Sequence, residues 1–162
     1  MTRSVTTAVA AVFAVAALGA CSPEPVAPVQ DSKAMSPPVV PAAPVAVFPE
    51  ASSARMRVRS GGDWSSRSVS LSKAQLARLR TAMIREPVPG DMAACFVPHH
   101  RFEFLSAQGR VIGEVEVCFC CFGVESKPDL VGEAGYRLSG DFGQLRELVV
   151  ELGSSADLNC DE

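Results

Sequence analysis

The chain has 162 residues, with 15 Lys or Arg against 18 Asp or Glu and a formal charge of -3. That length suits one folded unit, and nothing recurs at the fixed period of a solenoid. The charge is unevenly spread: residues 53–90 carry eight Lys or Arg and two acids, whereas residues 91–162 carry five and thirteen. Such a split argues for two halves that attract each other, or for a bipolar surface, more than for a nucleic-acid partner.

Thr2 and Arg3 give a short positive start, and Val5 to Leu18 are small and apolar, the composition of a secretory leader and too short for a membrane span. Leu18-Gly19-Ala20-Cys21 follows directly. This run resembles the lipobox of bacterial lipoproteins. The resemblance implies cleavage before Cys21, a thioether-linked diacylglycerol on its sulfur, and acylation of its new amino group. Two or more acyl chains hold a protein on the bilayer far better than one. Ser22 in place of Asp implies, in a Gram-negative cell, the periplasmic face of the outer membrane.

Eight of the twelve prolines lie between Ser22 and Glu50, interleaved with Ala, Val and Ser. Such a stretch favours extended, solvated chain and works as a spacer. The expected organisation is therefore a signal peptide over 1–20, lipidated Cys21 with its tether over 21–52, and a single domain over 53–162.

Within that domain Arg55 to Arg59 alternate polar and apolar residues, Gly61-Gly62-Asp63 turn the chain, and Arg67 to Leu71 alternate again with Val69 and Leu71 inward. These segments predict a first hairpin, its Arg side chains on a solvated face and Trp64 at its turn end. Ser72 and Gln75 make a capping box for a helix carrying Leu76, Leu79 and Met83 on one stripe, stopped by Pro87. A second hairpin spans Phe102 to Phe119, with Gln108-Gly109 at its turn. Its register pairs Phe102 with Val115 and His100 with Val117 on the core face, and Arg101 with Glu116 outside; Glu114 and Glu116 then belong to an exposed face. Asp141 caps a last helix with Phe142, Leu145, Val149 and Leu152 on one side and Gly153 as its stop. The predicted fold is α+β: a small antiparallel sheet of two hairpins packed against two helices, in the order ββαββα.

Once Cys21 is acylated, Cys95, Cys118, Cys120, Cys121 and Cys160 remain, an odd number in an oxidising compartment. Cys95-Phe96-Val97-Pro98-His99-His100 followed by Cys118-Phe119-Cys120-Cys121 is similar to a C-x-x-P-x-H and C-F-x-C arrangement of small uncharacterised bacterial secreted proteins. That resemblance implies a shared fold and carries no activity. From the residues, three readings compete. A Cys95–Cys121 disulfide closing the open end of the second hairpin would stabilise by about 2–4 kcal/mol. A zinc or copper site would draw on Cys95, His100, Cys118 and Cys121, with His99, Cys118 and Cys120 as an alternative triad. Thiol-disulfide exchange would use Cys118 and Cys121, away from the helix N-terminus where redox C-x-x-C pairs normally sit. No nucleophile elbow, phosphate loop or buried carboxylate pair is legible, so the chain reads as a non-catalytic, disulfide-stabilised domain without a resident cofactor. Its expected partners are the lipid bilayer and an envelope protein of unidentified kind, and its expected place is the cell envelope.

Overall fold

The computed structural model describes residues 42–60, 62–88, 96–154 and 158. Residues 1–41, on which the expected leader and Cys21 fall, lie outside them. In chain order the elements are β1 (Ala43–Pro44), β2 (Ser53–Ser60), β3 (Asp63–Trp64), β4 (Val69–Ser70), α1 (Lys73–Thr81), β5 (Met83–Pro87), β6 (His100–Leu105), β7 (Val111–Cys118), β8 (Gly123–Lys127), β9 (Tyr136–Gly140) and α2 (Phe142–Glu151). No described helix is long and apolar enough to cross a membrane.

The expected ββαββα order of two hairpins on two helices is corrected by this architecture. The described residues form two antiparallel sheets of nine strands with two short helices. One sheet runs β1-β5-β9; the other runs β3-β2-β6-β7-β8, with β4 also pairing with β2. Strand β5 escaped the sequence pattern because Met83 stands seven residues after Leu76 and so continues the helical stripe. In the fold α1 ends at Thr81 and is capped by Ala82, and Met83 is buried from a strand instead. Strands β8 and β9 have no clean alternation to announce them, since each carries glycine at one end.

The second hairpin forms in the expected register. His100 faces Val117, Arg101 faces Glu116 and Phe102 faces Val115. Its turn differs: the Gly109 amide donates to the Ser106 carbonyl, Gly109 has φ +76°, and a bulge follows Phe104. Ala107 and Gln108 are thus the central turn residues, and glycine takes the left-handed position behind them. On the other edge of β6, Met56 pairs with Phe102 and Ala54 with Phe104. The first hairpin is broken into two short return strands, and Val69, the cross-strand partner of Met56, remains 42 % exposed, while Leu71 is buried.

Core side chains come from the inner face of the larger sheet (Met56, Phe102, Phe104, Val115, Val117) and from Leu76, Leu79, Leu145, Leu148 and Val149 of the helices. The core also reaches back into the proline-rich stretch. Val47 and Phe48 are buried, and the Phe48 ring lies where a side chain on Gly113 would be, 2.1 Å from that Cβ position. Arg80 of α1 secures this segment by donating to the carbonyls of Val47, Phe48 and Ala51.

Both helix starts follow the sequence signals. Ser72 Oγ accepts from the Gln75 amide while the Ser72 amide donates to Gln75 Oε1, and Asp141 Oδ1 accepts from the Gln144 amide at 3.0 Å. Gly153, at φ +80°, closes α2 with amide bonds from Gly153 to Val150 and from Ser154 to Val149. Arg78 and Glu151 join the helices through two bonds of 2.6 and 2.7 Å.

These contacts hold two carboxyls below their ordinary values: Asp141 through the Gln144 backbone and side chain, and Glu151 through the Arg78 guanidinium. A carboxyl depressed in the folded state contributes stability above its unfolded value, and that contribution is lost as pH falls through the folded value. The melting temperature should therefore drop on acidification below about pH 4. Against wild type, a D141N/E151Q variant should show a shallower drop over the same range in circular-dichroism melts; an unchanged slope would contradict the assignment.

Candidate functional site

Strand alternation sends Ala54, Met56, Phe102, Phe104, Val115 and Val117 to the core and leaves Arg55, Arg57, Arg101, Glu103, Glu114 and Glu116 on the outer face of the larger sheet. This face is not the solvated surface that alternation alone suggests. Glu103 is bound by Arg55 Nε and by Arg57 Nε, the latter at 2.8 Å, and its side chain is only 8 % exposed. Arg101 meets Glu116 at 2.5 Å and Glu114 at 3.5 Å, and Lys127 approaches Glu116 at 3.7 Å. Glu116 is 9 % exposed, a correction to its expected exposure. Trp64, the cross-strand neighbour of Arg59, lays its ring 4.2 Å from the Arg101 guanidinium and helps exclude water. The attraction between the basic and acidic halves is thus realised across strands.

At one end of this sheet the histidines and cysteines gather. His100 is fully buried on the core face, its Nε2 lies 3.1 Å from Ser154 Oγ, and its ring meets Phe119 edge-on at 5.3 Å. The partner that burial demands therefore comes from the chain just after α2, a link sequence spacing did not reveal. Cys118, the next residue along β7 from Val117, belongs to the opposite face and is 1 % exposed. His99 precedes β6; its amide donates to the Val117 carbonyl, its carbonyl accepts from Arg59, and its buried Nδ1 has no hydrogen bond among the described residues.

Strand β7 stops at Cys118, β8 starts at Gly123, and these two are cross-strand partners, so Phe119 to Phe122 form the turn. Phe119 turns into the core against Phe142, with Arg146 at 5.6 Å from its ring. Phe122 takes φ +48°, unusual for a residue with a side chain, and is 60 % exposed with its ring edge-on to Phe142. Cys120 is exposed and Cys121 half-buried.

Gly123 organises the tip. A side chain there would meet the Phe96 ring at 2.7 Å and the Cys121 Sγ at 3.3 Å, so both groups occupy the space that glycine leaves. The chain neighbour of Cys95 and the sulfur of Cys121 thereby converge on one residue. Cys95 itself lies outside the described residues, as does Cys160. No two described cysteines are bonded to each other.

Of the residues considered for a metal, His100 and Cys118 project to opposite faces. Among the described residues no three His, Cys, Asp or Glu side chains gather to hold an ion; this covers the His99, Cys118 and Cys120 triad as well. The arrangement does bring together a buried thiol, a half-buried thiol and a close-packed aromatic. No family model, curated protein sequence or solved structure matches this chain. Its chemistry has to be read from these residues.

Replacing Glu103 by Gln keeps its shape and leaves two half-buried guanidinium groups without a counter-charge. We expect a loss of about 2 kcal/mol in urea unfolding, tempered by the partial exposure of both arginines. E147Q, at a 74 % exposed carboxylate, should fall within about 0.5 kcal/mol of wild type. Equal effects at the two positions would contradict a structural role for the outer face.

Proposed function

We propose that this chain is a bacterial envelope lipoprotein: an acylated Cys21 holds a small, cross-linked domain on the bilayer, where it binds or scaffolds rather than turns over a substrate. The observation that carries the reading is Leu18-Gly19-Ala20-Cys21 directly behind the apolar run Val5 to Leu18. The proline-rich composition after Ser22 favours an extended, solvated spacer between anchor and domain.

The proposed cross-link is a Cys95–Cys121 disulfide. It is supported by the meeting of Phe96 and Cys121 over Gly123, and it suits an oxidising compartment. The similarity of the Cys95 to Cys121 motif to small secreted proteins points the same way. In a Gram-negative cell Ser22 directs the protein to the periplasmic face of the outer membrane, where an envelope protein is its partner.

Expression of the full chain in a bacterium, followed by mass spectrometry of its first peptide, tests the anchor. The expected product begins at Cys21 with a diacylglyceryl thioether and an N-acyl group, and C21S leaves the membrane fraction. A non-reducing peptide map should join the segments bearing Cys95 and Cys121. Recovery of an uncleaved, unacylated chain from the cytosol would overturn the proposal.

A further inference from the structure

The turn between β7 and β8 holds two sulfurs of unequal access, Cys118 and Cys121, three residues apart in the chain. A disulfide needs Cα atoms roughly 4.4–6.8 Å apart, a span open to residues i and i+3 of a turn. Gly123 faces Cys118 across the strands, and opposed side chains of antiparallel strands have Cβ atoms about 5 Å apart. The Cys121 Sγ lies 3.3 Å from the Cβ position that Gly123 leaves empty. Its sulfur is therefore held directly over the residue opposite Cys118.

Access orders the chemistry. An outside sulfur can reach half-buried Cys121, whereas Cys118, 1 % exposed, can be reached only from within the fold. We propose that Cys118 and Cys121 form a thiol-disulfide exchange pair, in which Cys121 carries a partner thiol as a mixed disulfide and Cys118 displaces it. The Cys118 sulfur attacks the Cys121 sulfur, the bond from Cys121 to the partner breaks, and the Cys118–Cys121 bond forms. The partner leaves as a thiol bearing the proton that Cys118 gives up. One S–S bond replaces another, and the two oxidising equivalents that leave Cys118 and Cys121 joined come from the disulfide that is opened. The ligand class is a disulfide: the Cys95–Cys121 link proposed above, which this step opens to free Cys95 as a thiol, or a cystine of an envelope protein that reduced Cys121 attacks first. The inference rests on the envelope reading only for the oxidising surroundings that supply mixed disulfides.

The test uses the full lipidated chain carrying C95S, C120S and C160S, so that Cys118 and Cys121 are the thiols left beside acylated Cys21. It is treated with oxidised glutathione, quenched in acid and alkylated at intervals. A glutathione adduct on Cys121 should appear first and convert to a chain two hydrogens lighter than the reduced one, with neither cysteine alkylated. Adding C118S should lengthen the life of that adduct by at least about 100-fold, because an intramolecular attack is lost. C118A, which keeps an apolar group in the buried position, repeats this arm, and circular-dichroism melts confirm that each variant is folded. G123A, whose Cβ collides with Phe96 and crowds Cys121, should slow the conversion about tenfold with adduct formation retained. An adduct that persists with Cys118 present, or one that forms first on Cys118, overturns the proposal. The N-terminal peptide of the same sample separates the two readings: an unacylated chain that still resolves the adduct removes only the anchor, and an acylated chain that does not removes only the exchange.

Discussion

Strand β6 is paired on both edges, to β2 and to β7, and its register decides what every neighbouring residue can do. A slip of one residue would carry Phe102 and Phe104 out of the core and bring Arg101 and Glu103 into it. Both faces resist that slip. Phe102 and Phe104 are fully buried, and Glu103 is held between two arginines of β2. The same register puts His100 beside Val117 in the core and Cys118 on the other face, separating two residues that lie close in any list of metal ligands. Where β7 ends, and hence which cysteines fall in the turn, is set on its other edge, where Cys118 pairs with Gly123 of β8.

The charge asymmetry along the chain becomes a set of bonds between its halves. Arg55 and Arg57 meet Glu103, Arg78 meets Glu151, and Arg85 meets Glu133. The exposed pairs contribute little individually. The largely buried pairs at Glu103 and Glu116 matter differently, because a displaced strand would leave a desolvated carboxylate beside an apolar neighbour. Their main contribution is to specify one pairing of strands over its alternatives.

The parts legible in the sequence were those set by local chemistry. Ser72 with Gln75, and Asp141 with Gly153, mark helix ends through bonds within a few residues, and both helices begin where these residues place them. Alternation around Phe102 and Val115 determined the register of the second hairpin, and it brought Arg101 to Glu116. Long-range packing decided the rest. Met83 fits a helical stripe equally well, yet is buried from β5 because the chain there pairs with β9. Val47 and Phe48 sit among prolines and join the core only because Gly113 leaves room and Arg80 binds their carbonyls. Glu116 reads as exposed until Arg101 and Trp64 are seen to cover that face. At the candidate site, the cysteines and His100 could be singled out from spacing, but Ser154 and the role of Gly123 could not, since each acts across the fold on residues remote or opposite in the strands.

The pairing of β6 with β7 is tested most directly by proton Overhauser contacts across that pair. Close α-proton contacts should alternate along one series, either His100–Val117, Phe102–Val115 and Phe104–Gly113 or Arg101–Glu116 and Glu103–Glu114. Contacts of His100 with Glu116, or of Phe102 with Glu114, would mean a shifted register; the buried aromatic pair and the charged outer face would then both be misplaced.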